Sequence, residues 1–380
     1  MRNWNSPRCV KRQSKGLFAA IERINFNFTN HINPILKSNN MKTKQSSSKS
    51  NKITGKHIAI YVPVGNCILS SVVGSFKIFN QVNSLIKMQN PHAPLPFTVQ
   101  LVGLTEETIL YDGAFSIKPH CTVADSPKAD LVIIPALLGN FAEEIKRNEA
   151  ALPWITQQYK QGAEIASLCT GAFLLASTGL LKGKKCATHW IAYDAFKMMF
   201  PDVELVKTVV HEEHGICSSG GAYSFLNLIL HLVEKYVNHE MAVQCSKIFE
   251  IEMSRFSQAS FSIFSGFKMH EDDAVLRAQQ YIEENYAERI NVEELASRSS
   301  LSRRNFERRF KKATQYSPAE YIQYLKIEAA RRQLESSRYH INEVMYSVGY
   351  NDTKAFRTTF KKITGFSPLE YRNRFQAYGA

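Results

Sequence analysis

Residues 343–372 read EVMYSVGYNDTKAFRTTFKKITGFSPLEYR, and residues 293–322 read EELASRSSLSRRNFERRFKKATQYSPAEYI. The two segments lie 50 residues apart and are identical at 11 of 30 positions, which include two phenylalanines, a Lys-Lys pair and a Ser-Pro pair. A helical unit this short buries little core by itself. We therefore expect the two copies to pack together or to share a connecting helix.

Each copy predicts a helix, a turn and a second helix. The first copy predicts helices over residues 292–298 and 302–313, and the second copy predicts helices over 341–348 and 352–363. Serine and aspartate stand at the N-cap positions of the two longer helices, where their side chains can accept backbone N–H groups. In each copy a Ser-Pro pair follows the second helix and starts another helix, which in the first copy spans about residues 317–336.

The longer helix of each copy has an aromatic face and a basic face. Phe306 and Phe310 are separated by one helical turn, and Phe356 and Phe360 repeat that spacing. Arginine can donate two hydrogen bonds to guanine O6 and N7, so the opposite face is suited to reading the major groove. The predicted DNA-binding residues are Arg303, Arg304, Glu307, Arg308, Lys311, Lys312, Thr353, Lys354, Arg357, Thr358, Lys361 and Lys362.

The connecting helix has a length that suits two neighbouring grooves. Twenty residues of α-helix span about 30 Å. Successive major-groove faces on one side of B-DNA are about 34 Å apart. The spacing therefore predicts that one chain places two recognition helices in adjacent major grooves.

Residues 347–372, SVGYNDTKAFRTTFKKITGFSPLEYR, strongly resemble the signature of the AraC/XylS-type DNA-binding domain. The resemblance covers about residues 272–377. It implies an all-α domain with two helix-turn-helix units, in a sequence-specific transcriptional regulator whose partner is double-stranded DNA. The alternative is a helical bundle whose basic face is simply solvated.

The net charge of +13 is unevenly distributed along the chain. Residues 1–56 carry +11, residues 57–297 carry −8 and residues 298–380 carry +10. Two basic ends around an acidic body favour a polyanionic partner. Residues 1–56 are also Ser- and Lys-rich without hydrophobic periodicity, so we expect them to be disordered.

Residues 57–253 alternate strand-like and helix-like patterns. This alternation predicts a flavodoxin-like α/β domain with a mostly parallel sheet and helices on both faces. A Ser-rich linker without a clean period is expected over residues 254–271. The predicted strands are 57–62, 97–102, 130–134 and 164–168, and the predicted helical stretches are 72–88, 141–161, 171–178, 190–199, 223–237 and 239–250.

A cysteine stands where the last of these strands meets a helix. Cys169 lies in residues 166–172, ASLCTGA, and the nearby helix N-terminus is expected to favour its thiolate. Residues 167–190, SLCTGAFLLASTGLLKGKKCATHW, resemble the PfpI-type, glutamine-amidotransferase-like fold found in GlxA-like regulators, with Cys169 at the nucleophile position. That resemblance covers about residues 57–255.

The remaining catalytic residues of that fold look incomplete. Ser70 or Ser71 stands where the resemblance implies an acid, and residues 135–139, PALLG, replace a Gly-Gly loop. His189 is the imidazole that could approach the cysteine. We therefore assign no catalytic residue and treat Cys169 and His189 as vestigial or ligand-sensing candidates. Three interpretations stay open: a ligand-sensing domain, a structural or dimerising domain, and a cysteine-dependent amidase or related hydrolase.

Several classes of site are not expected. The seven cysteines are scattered and never form a CxxC pair, which argues against a disulfide scaffold or a zinc site. Residues 211–214, HEEH, fall in a strand-turn without a further ligand pair, so we expect no metal, and we expect no cofactor. The chain shows no long apolar run and no secretory signal, so we expect a cytoplasmic protein without a membrane partner. A small-molecule effector, homodimerisation and contact with RNA polymerase are the further partners that fit a regulator.

Overall fold

The computed structural model describes residues 55–253, 257–268 and 270–376. Every element below belongs to one unit, residues 53–380. The predicted disordered segment, residues 1–56, lies outside the described residues apart from its last two positions.

The first domain is built on one seven-stranded sheet. The strands of the described residues are β1 (Lys56–Val62), β2 (Phe97–Gly103), β3 (Thr108–Leu110), β4 (Phe115–Ile117), β5 (Cys121–Thr122), β6 (Leu131–Ile134), β7 (Glu164–Leu168), β8 (Lys185–Cys186), β9 (Glu204–Leu205), β10 (Val210–Glu213) and β11 (Ile216–Ser219). The main sheet has the order β10-β11-β7-β6-β1-β2-β5, and β3–β4 and β8–β9 form two small separate sheets. Every neighbouring pair of the main sheet is parallel except β10–β11.

Helices cover both faces of this sheet, as predicted. They are α1 (Leu69–Gln89), α2 (Phe141–Arg147), α3 (Leu152–Lys160), α4 (Ala172–Ser177), α5 (Tyr193–Met199), α6 (Phe225–Tyr236) and α7 (His239–Ile248). Because successive side chains of a strand point to opposite faces, β1 contributes side chains to two cores, one on each face of the sheet. Ile60 packs in the core that contains Phe79 of α1 and Leu228 of α6, whereas Tyr61 packs in the core that contains Phe173 of α4.

The second domain is helical. Its helices are α8 (Asp273–Asn285), α9 (Val292–Arg298), α10 (Arg303–Thr314), α11 (Pro318–Ser336), α12 (Ile341–Ser347), α13 (Thr353–Thr364) and α14 (Pro368–Phe375). The connecting helix α11 contributes to two separate cores. Its first turn places Tyr321 against Phe310, with ring centroids 5.4 Å apart, while Leu334 belongs to the core that contains Phe360. The prediction that the two copies share a connecting helix is therefore confirmed.

Two local expectations differ from the structure. The stretch 141–161 is not one helix, because α2 ends at the buried Asn148 and α3 begins afresh with Pro153 in its first turn. The Asn148 amide oxygen accepts from Tyr61 Oη at 2.7 Å and Val64 N at 2.8 Å, so this side chain binds the sheet instead of continuing a helix. Strand β11 (Ile216–Ser219) was not predicted, because its short sequence, ICSS, has no apolar alternation.

The connection between the domains is packed. No helix or strand occurs between α7 and α8 in the described part of this segment, which agrees with the irregular pattern of the sequence. Gln258 and Ser260 are nevertheless buried, at 3% and 5% exposure. The bounds proposed for the domains and the linker remain a prediction, but residues 257–268 are not a free tether.

Candidate DNA-binding surface and cysteine elbow

The two candidate recognition helices, α10 and α13, begin differently. Asp352 accepts hydrogen bonds from Lys354 N at 2.7 Å and from Ala355 N at 3.1 Å, so it caps α13 as predicted. Ser302 occupies the N-cap position of α10 with an extended backbone, but its side chain accepts no capping hydrogen bond. A side-chain cap of this kind contributes about 1 kcal/mol, so α10 depends more on its tertiary packing than α13 does.

Buried aromatic side chains pack each recognition helix against the core of its unit. Phe306, Phe310, Phe356 and Phe360 are each 0% exposed. The Phe360 and Tyr371 rings meet edge to face at 5.5 Å, which repeats the contact that Phe310 makes in the first copy. The internal repeat of the sequence therefore corresponds to the same aromatic packing in both copies.

The opposite face of each recognition helix is basic and accessible. Ten of the twelve predicted DNA-binding residues are exposed, and Glu307 and Thr353 are half-buried. The exposed ten are Arg303, Arg304, Arg308, Lys311, Lys312, Lys354, Arg357, Thr358, Lys361 and Lys362.

Carboxylates neutralise part of this face in the first copy. The Arg303 guanidinium lies 3.0 Å from the Glu307 carboxylate and 3.2 Å from the Glu293 carboxylate. Arg308 donates to the Asn305 amide oxygen at 2.9 Å. Arg304 is exposed, and among the described residues no ion pair engages its guanidinium.

A lysine ties the two helix-turn-helix units together. Lys326 of α11 donates to Glu288 O at 3.3 Å in the first unit and to Gly349 O at 3.1 Å in the second. Gly349 has φ +75°, and a Cβ there would lie 1.9 Å from Ala287 O. Glycine at this turn is thus required by both the backbone conformation and the close approach of the two units. The contact restrains the orientation of one recognition helix relative to the other.

Cys169 forms a sharp elbow between β7 and α4. Its φ is +53°, a strained conformation for a non-glycine residue that often marks functional sites. Thr188 Oγ1 donates to Cys169 O at 3.0 Å, and Cys169 N donates to Ser219 Oγ at 3.4 Å. A Cβ on Gly171 would lie 2.5 Å from Ile134 O, so the turn packs directly against the end of β6.

The expectation that the elbow favours a thiolate is wrong. Cys169 is 1% exposed, and burial raises the pKa of its thiol to about 11. Hydrogen bonds from Thr170 lower the pKa, but desolvation is the larger effect. A thiol in this environment is neutral at physiological pH, and a neutral thiol is a poor nucleophile.

Two of the candidate side chains near the elbow are engaged in other hydrogen bonds. Ser71 donates to Ile68 O at 2.6 Å and accepts from Ala136 N at 3.2 Å, so its hydroxyl is used within the backbone framework. His189 accepts from Ile191 N at 3.1 Å as the cap of a short 3-10 turn. Sequence reasoning missed Thr188, the neighbour of His189, whose hydroxyl contacts the cysteine backbone; no sequence motif distinguished it.

The His-Glu-Glu-His segment is engaged in ion pairs. Glu212 binds His231 at 2.6 Å and Lys235 at 2.6 Å, while Glu213 lies 3.6 Å from His211. Over the described ranges, no group of three or more His, Cys, Asp or Glu side chains could hold a metal ion. Among the described residues, no helix is both long enough and apolar enough to cross a membrane.

Comparisons with known proteins match both parts of the chain. The DJ-1/PfpI family model matches residues 82–235, and a helix-turn-helix domain model matches residues 295–374. The HTH-type transcriptional regulator GbdR of Pseudomonas aeruginosa is 26% identical over 300 residues, which cover 76% of this chain and 81% of GbdR.

Of two further relatives, one is a transcriptional regulator and the other is an enzyme. The HTH-type transcriptional regulator ArgR of Pseudomonas aeruginosa is 27% identical and covers 58% of this chain and 67% of its own length. Isonitrile hydratase of Pseudomonas putida is 28% identical over 171 residues, or 44% of this chain and 73% of that enzyme. The matched ranges agree with the two domains seen in the structure, and the chain therefore joins a DJ-1/PfpI-family α/β domain to an AraC-type helix-turn-helix domain.

Proposed function

We propose that the chain is a transcriptional regulator that binds specific duplex DNA through α10 and α13. The observation that carries this proposal is the duplicated recognition helix. In each copy, one face of the helix has two fully buried phenylalanines and the opposite face is basic and exposed. The similarity to GbdR and ArgR, both HTH-type transcriptional regulators, supports it. DNA as the partner also supports a cytoplasmic location.

The basic side chains divide into two roles. Arg304 and Arg308 in the first copy, and Arg357 in the second, are the proposed base readers, because arginine pairs bidentately with guanine. The lysines at the C-terminal ends of the two helices are the proposed phosphate contacts, because phosphate contacts position a protein without reading sequence. Arg303 has a smaller role, since its guanidinium is already bound by two carboxylates.

The connecting helix sets the distance between the readers. At 19 residues, α11 spans about 29 Å, which approaches the repeat of one DNA turn. The Lys326 contacts hold both units against one another. Two adjacent major grooves on one face of the duplex are therefore the proposed target.

The α/β domain is proposed to sense a signal and not to catalyse a reaction. The buried, neutral thiol of Cys169 supports this assignment. Homodimerisation and contact with RNA polymerase are further proposals for a regulator of this kind. The similarity to isonitrile hydratase favours one second candidate, an enzyme that uses Cys169. Hydrolysis of amides or hydration of isonitriles by the full chain, abolished by Cys169→Ser, would establish that candidate.

The decisive experiment is to sequence the DNA fragments that the purified full chain retains from sheared genomic DNA. We expect one enriched motif with two half-sites about one helical turn apart. Lys354→Ala combined with Arg357→Ala should lose the enrichment, whereas Lys118→Ala, an exposed lysine of the α/β domain, should retain it. Retention of random fragments by all variants would reject sequence-specific binding.

A further inference from the structure

The segment that joins the domains, residues 257–267 and here called the strap, is bound to the α/β domain by Gln258. This residue is 3% exposed, and its backbone N–H donates to Lys207 O at 3.0 Å. Its side-chain amide donates to Thr188 O at 3.0 Å and to Thr208 O at 3.1 Å. Because carbonyl oxygens only accept, they fix which end of the amide faces them. Gln258 therefore attaches the strap to two loops of the α/β domain, one between β8 and α5 and one between β9 and β10.

Gly220 provides the seat of the Gln258 side chain. It directly follows β11, and a Cβ at this position would overlap the Gln258 amide group. The φ of Gly220 lies outside the left-handed region, so the Gln258 side chain, and not backbone strain, opposes alanine there. Gln258 Oε1 accepts no hydrogen bond within the described residues. An unpaired buried acceptor costs free energy, which offsets part of the gain from the donated bonds, so the seat fits closely but binds weakly.

The walls of this seat also hold the cysteine elbow. The Thr188 hydroxyl donates to Cys169 O at 3.0 Å, while the Thr188 carbonyl accepts from Gln258. Ser219, which precedes Gly220 in the chain, accepts from Cys169 N at 3.4 Å through its hydroxyl. The two segments that bind the Cys169 backbone are therefore the same two that contact the Gln258 amide. A displacement of the elbow would change the seat.

The strap supports the first recognition helix through aromatic rings. Phe264 of the strap meets Tyr321 of α11 edge to face, with ring centroids 5.1 Å apart. Tyr321 is 0% exposed and packs in turn against Phe310 of α10, at 5.4 Å. Edge-to-face contacts of this kind stabilise a core beyond the area that they bury. One residue therefore separates the strap from the buried face of α10.

The strap supports the second recognition helix through a buried arginine. Arg331 of α11 is 4% exposed and donates to Ser260 O at 2.8 Å and also to Ser262 O. The same guanidinium donates to Tyr371 Oη of α14 at 2.8 Å, and the Tyr371 ring packs against Phe360 of α13. Burying a charged group is costly unless its hydrogen bonds are satisfied. Release of the strap would remove two acceptors from this guanidinium and so weaken the support of α13.

We propose that Gln258 is a latch that couples the cysteine elbow to DNA binding. While Gln258 is seated on Gly220, the strap supports both recognition helices, and ten of the predicted DNA-binding residues are exposed in this state. When Gln258 is released, both helices lose that support, and DNA must order them as it binds. The inference rests on the proposed regulatory function and names how the α/β domain acts on the affinity for DNA. Because binding free energies are coupled reciprocally, DNA must in turn stabilise the seated strap.

Gly220→Ala is the most direct test, because the new Cβ fills the seat. We expect the affinity of the full chain for the enriched DNA motif to fall about tenfold, within the usual range of coupling between two sites. Gln258→Glu should have a similar effect, because it places a carboxylate against the carbonyl oxygens of Thr188 and Thr208. Gln157→Glu makes the same charge change at an exposed glutamine of α3 and should leave the affinity unchanged.

A double-substitution cycle separates release of the latch from damage to the α/β domain. In Gln258→Ala, the side chain that Gly220→Ala displaces is already absent. The double variant should therefore bind DNA as weakly as either single variant, and no more weakly. Losses that multiply in the double variant, or unchanged affinity in both Gly220→Ala and Gln258→Glu, would overturn the latch.

Hydrogen exchange of the strap amides, followed by mass spectrometry on the full chain, reports the state of the latch itself. Exchange over residues 257–267 should be faster in Gly220→Ala than in the wild-type chain. It should become slower in the wild-type chain when the enriched DNA motif is bound, an effect that a merely structural role of the strap would not produce. Strap exchange that DNA leaves unchanged would overturn the coupling.

Two valine variants test the link to the elbow. Thr188→Val removes the hydroxyl that binds Cys169 O, so the Thr188 carbonyl is held less firmly and strap exchange should become faster. Thr208→Val is the matched control, because the Thr208 carbonyl also accepts from Gln258 but its side chain is exposed. Equal strap exchange in the two variants would overturn the link.

The failure of the latch and the failure of the proposed function are distinguishable in these measurements. Specific DNA binding by the wild-type chain that Gly220→Ala and Gln258→Glu leave unchanged would overturn the inference while leaving the proposed function intact. Absence of specific DNA binding by the wild-type chain would instead reject the proposed function, and with it the latch.

Discussion

Individual side chains decide how much of the basic face is free to bind DNA. In α10, Glu293 and Glu307 occupy Arg303, whereas Arg304 and Arg308 have no carboxylate partner among the described residues. In α13, no acidic residue interrupts the exposed face between Thr353 and Thr364. The two copies therefore share a fold but differ in how strongly their cations are held within the protein.

Arg304→Ala and Arg308→Ala should each weaken specific binding by about 1–3 kcal/mol, the usual contribution of a bidentate contact to guanine. Both side chains lie opposite the buried phenylalanines, so the thermal midpoint should not change. Operator affinity and melting are measured on the same samples, with Lys118→Ala as control. Unchanged affinity in both variants would remove the first copy from base reading.

Cys169 and Cys121 should differ sharply in reactivity. With a pKa of about 11, only about a thousandth of the Cys169 thiol is ionised at pH 8, and the side chain is enclosed. Iodoacetamide should therefore label the half-buried Cys121 first in the native chain, as measured by peptide mass spectrometry. In denaturant both should react. Equal native labelling would mean that the elbow opens in solution.

The recognition helices depend on their aromatic cores. Phe310→Ala and Phe360→Ala each remove a ring that is fully buried, at a typical cost of about 3–5 kcal/mol. Because a domain has only about 5–15 kcal/mol in total, DNA binding should fail through unfolding, seen as lost helical circular dichroism. Phe115→Ala, at a site 52% exposed, is the control. Full helicity and unchanged melting in both core variants would contradict the assignment.

Two glycines at helix ends allow the cost of backbone strain to be measured apart from the cost of a steric clash. Gly349 has φ +75° and Gly365 has φ +83°, so alanine should cost about 1–2 kcal/mol of backbone strain at either position. Only at Gly349 would the new Cβ collide with a backbone carbonyl, that of Ala287; at Gly365 nothing lies within 4 Å. Gly349→Ala should lower the thermal midpoint and the DNA affinity far more than Gly365→Ala. Equal effects would show that the two units do not approach closely at this turn.

The whole molecule should bind DNA with a steep salt dependence. Two recognition helices present eight exposed lysines and arginines that carry no ion pair within the described residues. If the four lysines at the C-terminal ends of these helices meet phosphates, the logarithm of the affinity should fall with the logarithm of the salt concentration with a slope of about −4. Lys361→Ala should reduce that slope by about one. A slope shallower than about −2 would contradict simultaneous engagement of both units.

Much of this architecture could be predicted from sequence. The duplicated segment located α9 to α14, and the shared aromatic spacing identified which side of α10 and α13 is buried. Both signals are local, because residues three and four apart lie on one face of a helix whatever surrounds it. The four central strands were predicted for the same reason, since buried parallel strands are nearly continuous apolar runs.

Properties that depend on distant segments required the structure. The residues next to Cys169 in the sequence predict its position at an elbow. The pKa of its thiol depends instead on how completely other segments enclose it. Burial raises this pKa and so contradicts the expectation of a thiolate. The role of residues 257–267 was equally hidden, because Gln258 and Arg331 are polar residues that a local pattern assigns to solvent. Only the meeting of two domains buries them, since a buried polar group needs partners that lie far away in sequence.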